Sequence, residues 1–445
     1  MKMHAMALVP VLCGVAFVAC SGSDSSNALG SGSPPGDDAG NNGATADSGG
    51  GGSSSDVTSG SDANTSGDSQ PPIGPLSAPS WISSIADSSG KVGSDNGIAV
   101  HNGALVVGYW DLDNRDLKFA TALTPSPTAT SDWQVHSVEV AGDTGWLVRT
   151  VSYKSGVVMA HYNNTLHTLR IVRSLTGSPT KATDWRGHDV DTISSAGKQG
   201  GARTAIVELN GMLWLNYFDF VHNELKVARA LSQTPDSASD WQIHSVASAT
   251  RPSPGQYFNT MAIANGRIGF VYDDTQTRTV NYARALVDAP VQASDWQIHT
   301  IDSWQSVSAD LGAQQGMTVL NGLPVVAYRD AYNKKLKVAI AKTSTPSQAT
   351  DWAIQSLPVQ NPMIIHANVV QGRIAVTCIN RATDSSGGMT VVRALVAAPA
   401  SAQDWAVYAP DSGGYNSSTV FNDQLAWEFQ DMNAHAKVLL SSGTW

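Results

Sequence analysis

One strand pattern returns seven times along this chain, at intervals of a little over fifty residues. Six copies end in an acidic-aromatic pair: Asp132-Trp133, Asp184-Trp185, Asp240-Trp241, Asp295-Trp296, Asp351-Trp352 and Asp404-Trp405. A further tryptophan, in Ser80-Trp81, opens the patterned region. A fixed period of this size means stacked supersecondary units, none able to bury its apolar face alone.

The third repeat shows the content of one unit. Residues 205–209 read as a strand, Asn210-Gly211 as a tight hairpin turn, and residues 212–218 as a second strand. A polar turn leads to a third strand at 225–231. A Ser/Thr/Pro loop then leads to a fourth at 241–246. Four antiparallel strands per unit make a propeller blade. The expectation is an all-β, seven-bladed β-propeller with four antiparallel strands per blade.

The hairpin position reads Gly103, Gly156, Gly211, Gly266, Gly322, Gly372 and Asp423. Six residues on stand Tyr109, Tyr162, Tyr217, Tyr272, Tyr328, Cys378 and Phe429. Eight residues on stand Asp111, Asn164, Asp219, Asp274, Asp330, Asn380 and Asp431. The seventh unit reaches the last residue before a fourth strand, so the segment around Trp81 is expected to supply it and close the ring. Closure removes sheet edges that would invite aggregation.

Features shared by every repeat read first as scaffold. Each fourth-strand Trp is expected to pack between blades, and each preceding Asp to accept backbone N–H bonds in its loop. Arg173, Arg229, Arg284 and Arg393 recur on third strands as partners for such Asp residues. His136, His188, His244 and His299 lie on four different units, too far apart to share a zinc ion, and neither metal nor cofactor is expected.

The N-terminus reads differently. Lys2 precedes a short apolar run, Ala5 to Ala19, too short to span a membrane. It ends at Phe17-Val18-Ala19-Cys20, which resembles the lipobox of bacterial lipoproteins. That resemblance implies a signal peptide over 1–19, a lipid on Cys20, and a place on the cell envelope, at the outer membrane or cell surface. Residues 20–79 are rich in Ser, Gly and Asp with almost no large apolar side chain, a disordered linker with a reach of roughly 40 Å. Residues 80–445 form the propeller. Their charges nearly balance with no basic patch, which argues against a nucleic-acid partner.

Seven positions before each hairpin residue, at the expected channel mouth, stand Asn96, Arg149, Thr204, Asn259, Gln315, Ile365 and Asn416. The connections between units carry Trp146, Tyr257, Trp304 and Tyr415. Aromatic rings beside Asn and Arg suit sugars: the ring stacks on C–H faces and planar polar groups bond hydroxyls. Trp146, Arg149, Tyr257, Asn259, Trp304 and Tyr415 are therefore the candidate ligand-binding residues.

The Tyr-x-Asp, Leu-Lys-x-Ala and Asp-Trp strands resemble bacterial surface propellers with sialidase-type and lectin-type repeats, over residues 80 to 445. The sialidase Asp-box is absent, because Asp touches Trp directly in Ser239-Asp240-Trp241. The expectation is a lipid-anchored binding protein that recognises glycans or surface partners without catalysis. One alternative is a carbohydrate-active enzyme, lyase or hydrolase. Polysaccharide lyases on seven-bladed propellers suggest His161, Tyr162, Arg149 and Arg203 for that role. The other alternative is a structural envelope scaffold.

Overall fold

A computed structural model describes residues 77–194, 204–248, 260–305, 314–380, 387–443 and 445. The signal segment, Cys20, nearly all of the linker, Arg203, Tyr257 and Asn259 lie outside the described residues. The described chain is all-β, with short 3₁₀ turns such as Ala238–Asp240 leading into the Trp strands. The fold is a β-propeller.

Five sheets hold four antiparallel strands each, in sequence order. They are repeats one to five, covering residues 92–139, 146–192, 205–248, 260–303 and 315–360. The sixth sheet has seven strands, because one long strand, Trp405–Phe421, serves two repeats. Its first part pairs with Gly388–Ala394 and its second with Gln424–Asp431. At the far edge the N-terminal strand Ser80–Asp87 pairs antiparallel with Ala436–Ser442, placing Trp81 opposite Ser441. The Trp81 ring lies 6.5 Å from Trp427 and 6.4 Å from Trp445. The first strands of repeats one to six neighbour one another in turn. The second part of the long strand lies beside both Pro362–Val370 and Val92–His101.

Burial explains the strand compositions. Second strands such as Met212–Asp219 are covered on both faces by neighbouring sheets, so they read as near-continuous apolar runs. Fourth strands such as Trp241–Ser248 are only partly covered, with Trp241 and Val246 as their buried members.

Repeat two departs from the expected register by one residue. Tyr153 pairs with Gly156, so the two-residue turn is Lys154-Ser155, and Lys154 has φ 54°, like Asn102 at 49° and Asn210 at 54°. Gly156 is already the first residue of a strand. A one-residue shift exchanges the two faces of a strand. His161 therefore takes the place that Tyr109 and Tyr217 occupy elsewhere, and Asn163 takes that of Asp111 and Asp219. Val148, not Arg149, is the equivalent of Asn96.

The repeated side chains form two seams between neighbouring sheets. In the outer seam, each buried Trp finds an acceptor for its Nε1–H one repeat earlier, as a buried indole requires. Trp185 donates to Nε2 of His136 at 2.9 Å, Trp241 to His188 at 2.8 Å, Trp296 to His244 at 2.9 Å and Trp352 to His299 at 2.9 Å. Trp405 uses Gln355 Oε1 at 2.7 Å and Trp133 uses Ser84 Oγ at 3.1 Å.

The second seam was not anticipated. A carboxylate at the end of one fourth strand accepts from the ring Tyr and from a third-strand Lys of the next repeat. Asp191 accepts Tyr217 Oη at 2.8 Å and Lys226 Nζ at 3.1 Å; Asp302 accepts Tyr328 at 2.7 Å and Lys337 at 2.8 Å. Asp87, on the N-terminal strand, accepts Tyr109 at 2.7 Å and pairs with Lys118.

The loop Asp residues cap as expected. Asp240 Oδ2 accepts the N–H of Asp236 at 2.8 Å and of Ser237 at 3.0 Å. Spent on backbone, these carboxylates do not take the third-strand arginines. Arg173 bonds Asp236 at 2.9 Å, Arg284 bonds Gln297 at 2.8 Å, and Arg229 lies over the Trp214 ring.

Candidate functional site in the channel

The first strands surround a central channel. One ring position in each repeat is set by pairing across the first hairpin: Gly97 with Gly108, Arg149 with Ala160, Ala205 with Asn216, Thr260 with Val271, Gly316 with Ala327, His366 with Thr377 and Ser417 with Glu428. Five of these seven ring residues are small. At Gly97 and Gly316 neighbouring backbone comes so close that a Cβ would meet it at 2.7 Å. The two large members are Arg149 and His366.

A cavity of about 150 Å³ lies among them, lined by Arg149, Ala205, Ile206, Thr260, Met261, Gln315, Ile365 and His366. The Arg149 guanidinium is anchored through Nη1 to the carbonyl of Asn96 at 3.2 Å and of Val148 at 3.0 Å. Asn96 in turn donates to the carbonyl of Tyr415 at 3.2 Å, so Arg149, Asn96 and Tyr415 form one chain across three repeats. His366 Nε2 lies 2.8 Å from the carbonyl of Asn416. A carbonyl can only accept, so Nε2 carries the hydrogen and, in the neutral ring, Nδ1 carries the lone pair. Gln315 donates through Nε2 to the carbonyl of Val271 at 3.2 Å, while its buried Oε1 has no hydrogen-bond partner. Thr260 Oγ1 accepts the N–H of Met317 at 3.0 Å.

The other candidates sit outside this cavity. Trp146 is half-buried: its Nε1 donates to Asp143 at 2.7 Å and its ring lies 4.8 Å from Trp110. Trp304 is partly buried against the core between repeats four and five, and its N–H donates to the Arg278 carbonyl at 3.0 Å. Tyr415 is 40% exposed and left-handed at φ 47°. His161 does not join Arg149. It is buried, its Nε2 3.2 Å from Glu139, within the second seam. Burial pushes the Glu139 carboxyl up, but hydrogen bonds and charge from His161 and Arg170 outweigh it and hold it at about 2. Tyr162 bonds His167 at 3.0 Å. The lyase-like grouping around His161 and Tyr162 is therefore scaffold. Sequence reasoning missed His366 and Thr260 because it counted one position too early along every first strand but that of repeat two.

Among the described residues no three His, Cys, Asp or Glu side chains converge as a metal site would require. Glu428 is fully buried and neither carboxylate oxygen has a hydrogen-bond partner. Burial raises its carboxyl well above the usual range.

No family model and no curated protein matches the chain. Similar solved structures are an α-L-arabinanase of Penicillium chrysogenum complexed with arabinobiose, at TM-score 0.43 and 14% identity, over 64% of this chain and 89% of that one. An α-L-arabinofuranosidase from Lactobacillus brevis has TM-score 0.35 and 13% identity, over 55% of this chain and 90% of that one. An endo-arabinase from Bacteroides thetaiotaomicron has TM-score 0.34 and 9% identity, over 57% and 96%. These likenesses are of fold. The neighbours are sugar-cleaving enzymes, and they overturn the expectation of a binding protein without catalysis and of a chain that is not an enzyme.

Proposed function

We propose that this chain is a carbohydrate-active enzyme whose reaction site is the channel cavity. The observation that supports it is the pairing of one imidazole, His366, with one fixed guanidinium, Arg149, among small and neutral neighbours. With Nε2–H held by the Asn416 carbonyl, Nδ1 is the proton acceptor for general-base work. Arg149 supplies fixed positive charge where negative charge develops. The apolar walls of Ile206, Met261 and Ile365 limit water in the site.

The test is degradation of a polysaccharide panel by the full chain, reading both new reducing ends and unsaturated products. His366→Gln should lower the rate by about 10²–10⁴-fold with an unchanged melting temperature. A folded His366→Gln protein as active as wild type would remove His366 from the reaction.

The wider organisation belongs to the same proposal. The repeats, of the sialidase and lectin type, make seven blades, and the strand Ser80–Asp87 completes the last and closes the ring; its pairing with Ala436–Ser442 supports this. Trp146, Trp304 and Tyr415 lie on the connections between repeats; with Tyr257 and Asn259, which fall outside the described residues, they are taken to extend the substrate contact outward. The lipobox-like Phe17-Val18-Ala19-Cys20 supports a lipid on Cys20 and a place on the bacterial envelope, at the outer membrane or surface, with a glycan or surface protein as partner and no nucleic acid. Cys20→Ser should release the protein from membranes; retention after a carbonate wash would contradict the anchor.

A further inference from the structure

The cavity is matched to one sugar substituent, an inference that rests on the reading of the cavity as the reaction site. Size is the first limit. A volume of about 150 Å³ holds one benzene, about six non-hydrogen atoms, so it takes a substituent and not a whole sugar ring. Two polar groups of neighbouring repeats then meet along its wall. Gly316 faces repeat six, where a Cβ would meet the Cα of His366 at 2.7 Å, so Gln315 and Met317 on either side of it face repeat four. There Gln315 Nε2 donates to the carbonyl of Val271, and Thr260, which pairs with Val271, accepts the N–H of Met317. A carbonyl can only accept, so the nitrogen of the Gln315 amide is the atom at Val271 and Oε1 is the other end. Gln315 lines the cavity, is 1% exposed, and its Oε1 has no hydrogen-bond partner. A buried acceptor is costly to leave unpaired. The Thr260 oxygen spends a lone pair on Met317, which leaves its O–H as a donor. The remaining wall of Ile206, Met261 and Ile365 is buried and aliphatic.

One acceptor, one donor and an aliphatic wall in a space of this size describe the complement of an acetamido group. We infer that the cavity binds the N-acetyl group of a 2-acetamido sugar: its N–H donates to Gln315 Oε1, its carbonyl accepts from Thr260 Oγ1, and its methyl packs on Ile206, Met261 and Ile365. A pair of sugar hydroxyls meets both polar contacts but brings no methyl to the wall. An O-acetyl ester has no N–H for Gln315, and a free amino sugar has no carbonyl for Thr260.

The experiment is calorimetric titration of the full chain with N-acetylglucosamine, N-acetylgalactosamine, their oligomers, glucose, galactose, glucosamine and N-acetyl-lysine. An acetamido sugar should bind roughly tenfold or more tightly than its parent sugar and its free amine, the scale of one buried group left unpaired. Gln315→Leu should abolish that preference. Thr260→Val should weaken it several-fold, and Thr260→Ser, which keeps the hydroxyl, should retain it. The Thr260 pair carries the test if Gln315→Leu does not fold. Binding of oligomers without monosaccharides assigns the group to a unit within a polymer; binding of both assigns it to the single unit; each supports the inference. Equal affinity for the parent sugars, no measurable binding of any acetamido sugar, or an undiminished preference in folded Gln315→Leu overturns it. Tighter binding of N-acetyl-lysine than of any acetamido sugar makes the ligand an acetylated peptide and overturns the sugar assignment. Cleavage of a polysaccharide without acetamido groups, with no acetamido sugar bound, would overturn this inference and leave the enzyme reading standing. Acetamido-sugar binding without cleavage of any polymer would do the reverse.

Discussion

His136, His188, His244 and His299 each accept an indole N–H through Nε2, and only an imidazole without a proton on that nitrogen can do so. Burial pushes all four down from the usual 6.5; for His188 nearby Asp236 opposes this and Arg170 adds to it. The unfolded chain therefore takes up protons that the native state refuses, so stability is full above about 6.5 and falls as pH drops below it. Gln355, the acceptor of Trp405, shows how to break the link: His188→Gln should keep the bond and flatten the acid limb of stability against pH, whereas His188→Leu should also cost about 1–3 kcal/mol by stranding Trp241 Nε1. Chemical denaturation across the pH range checks both.

Glu428 has the opposite sign. Its raised carboxyl stays protonated in the native state, so its contribution is full below about 4.5 and is lost as pH rises above that. Glu428→Gln should remove this slope and leave the protein at least as stable at neutral pH; a loss of stability there would show that the carboxyl has a partner. Cys378 is fully buried, and burial pushes its thiol up to about 12, so it should resist alkylation until the protein unfolds.

At the scale of the element, strand identity was legible because two-residue Asn-Gly turns and apolar alternation are local signals. The register of repeat two was not. Gly156 resembles a hairpin glycine, while the true turn, Lys154-Ser155, places a lysine in the left-handed region. That choice rests on pairing with the neighbouring strand, which no local pattern reports, and it puts His161 instead of Tyr162 in the position of the ring Tyr. The Asp191–Tyr217–Lys226 seam was hidden for a similar reason: its members lie on three strands of two repeats. The pairing of Ser80–Asp87 with Ala436–Ser442 is of the same long-range kind. Deleting residues 80–86 removes Trp81 and strips Ala436–Ser442 of its outer partner. Trp81→Ala alone should cost a few kcal/mol, about 3. An unchanged melting temperature after the deletion would mean that this strand does not close the ring.

At the scale of the whole molecule, similar units line a channel, and similarity makes the exceptions informative. A ring of glycine, alanine, serine and threonine is what close inner strands require; Arg149 and His366 are not. Arg149 was already a channel-mouth candidate in the sequence, but His366 could be placed only after its strand was aligned through its partner, so the site was less legible than the fold. The aromatic candidates Trp146 and Trp304 show the converse: conspicuous in the sequence, they are largely taken up by packing. The most direct measurement is a structure of the folded His366→Gln protein with an oligosaccharide bound. The account predicts a sugar unit at the channel cavity, within hydrogen-bond distance of Gln315 and Thr260. An oligosaccharide seated elsewhere, with the cavity holding only water, would contradict it.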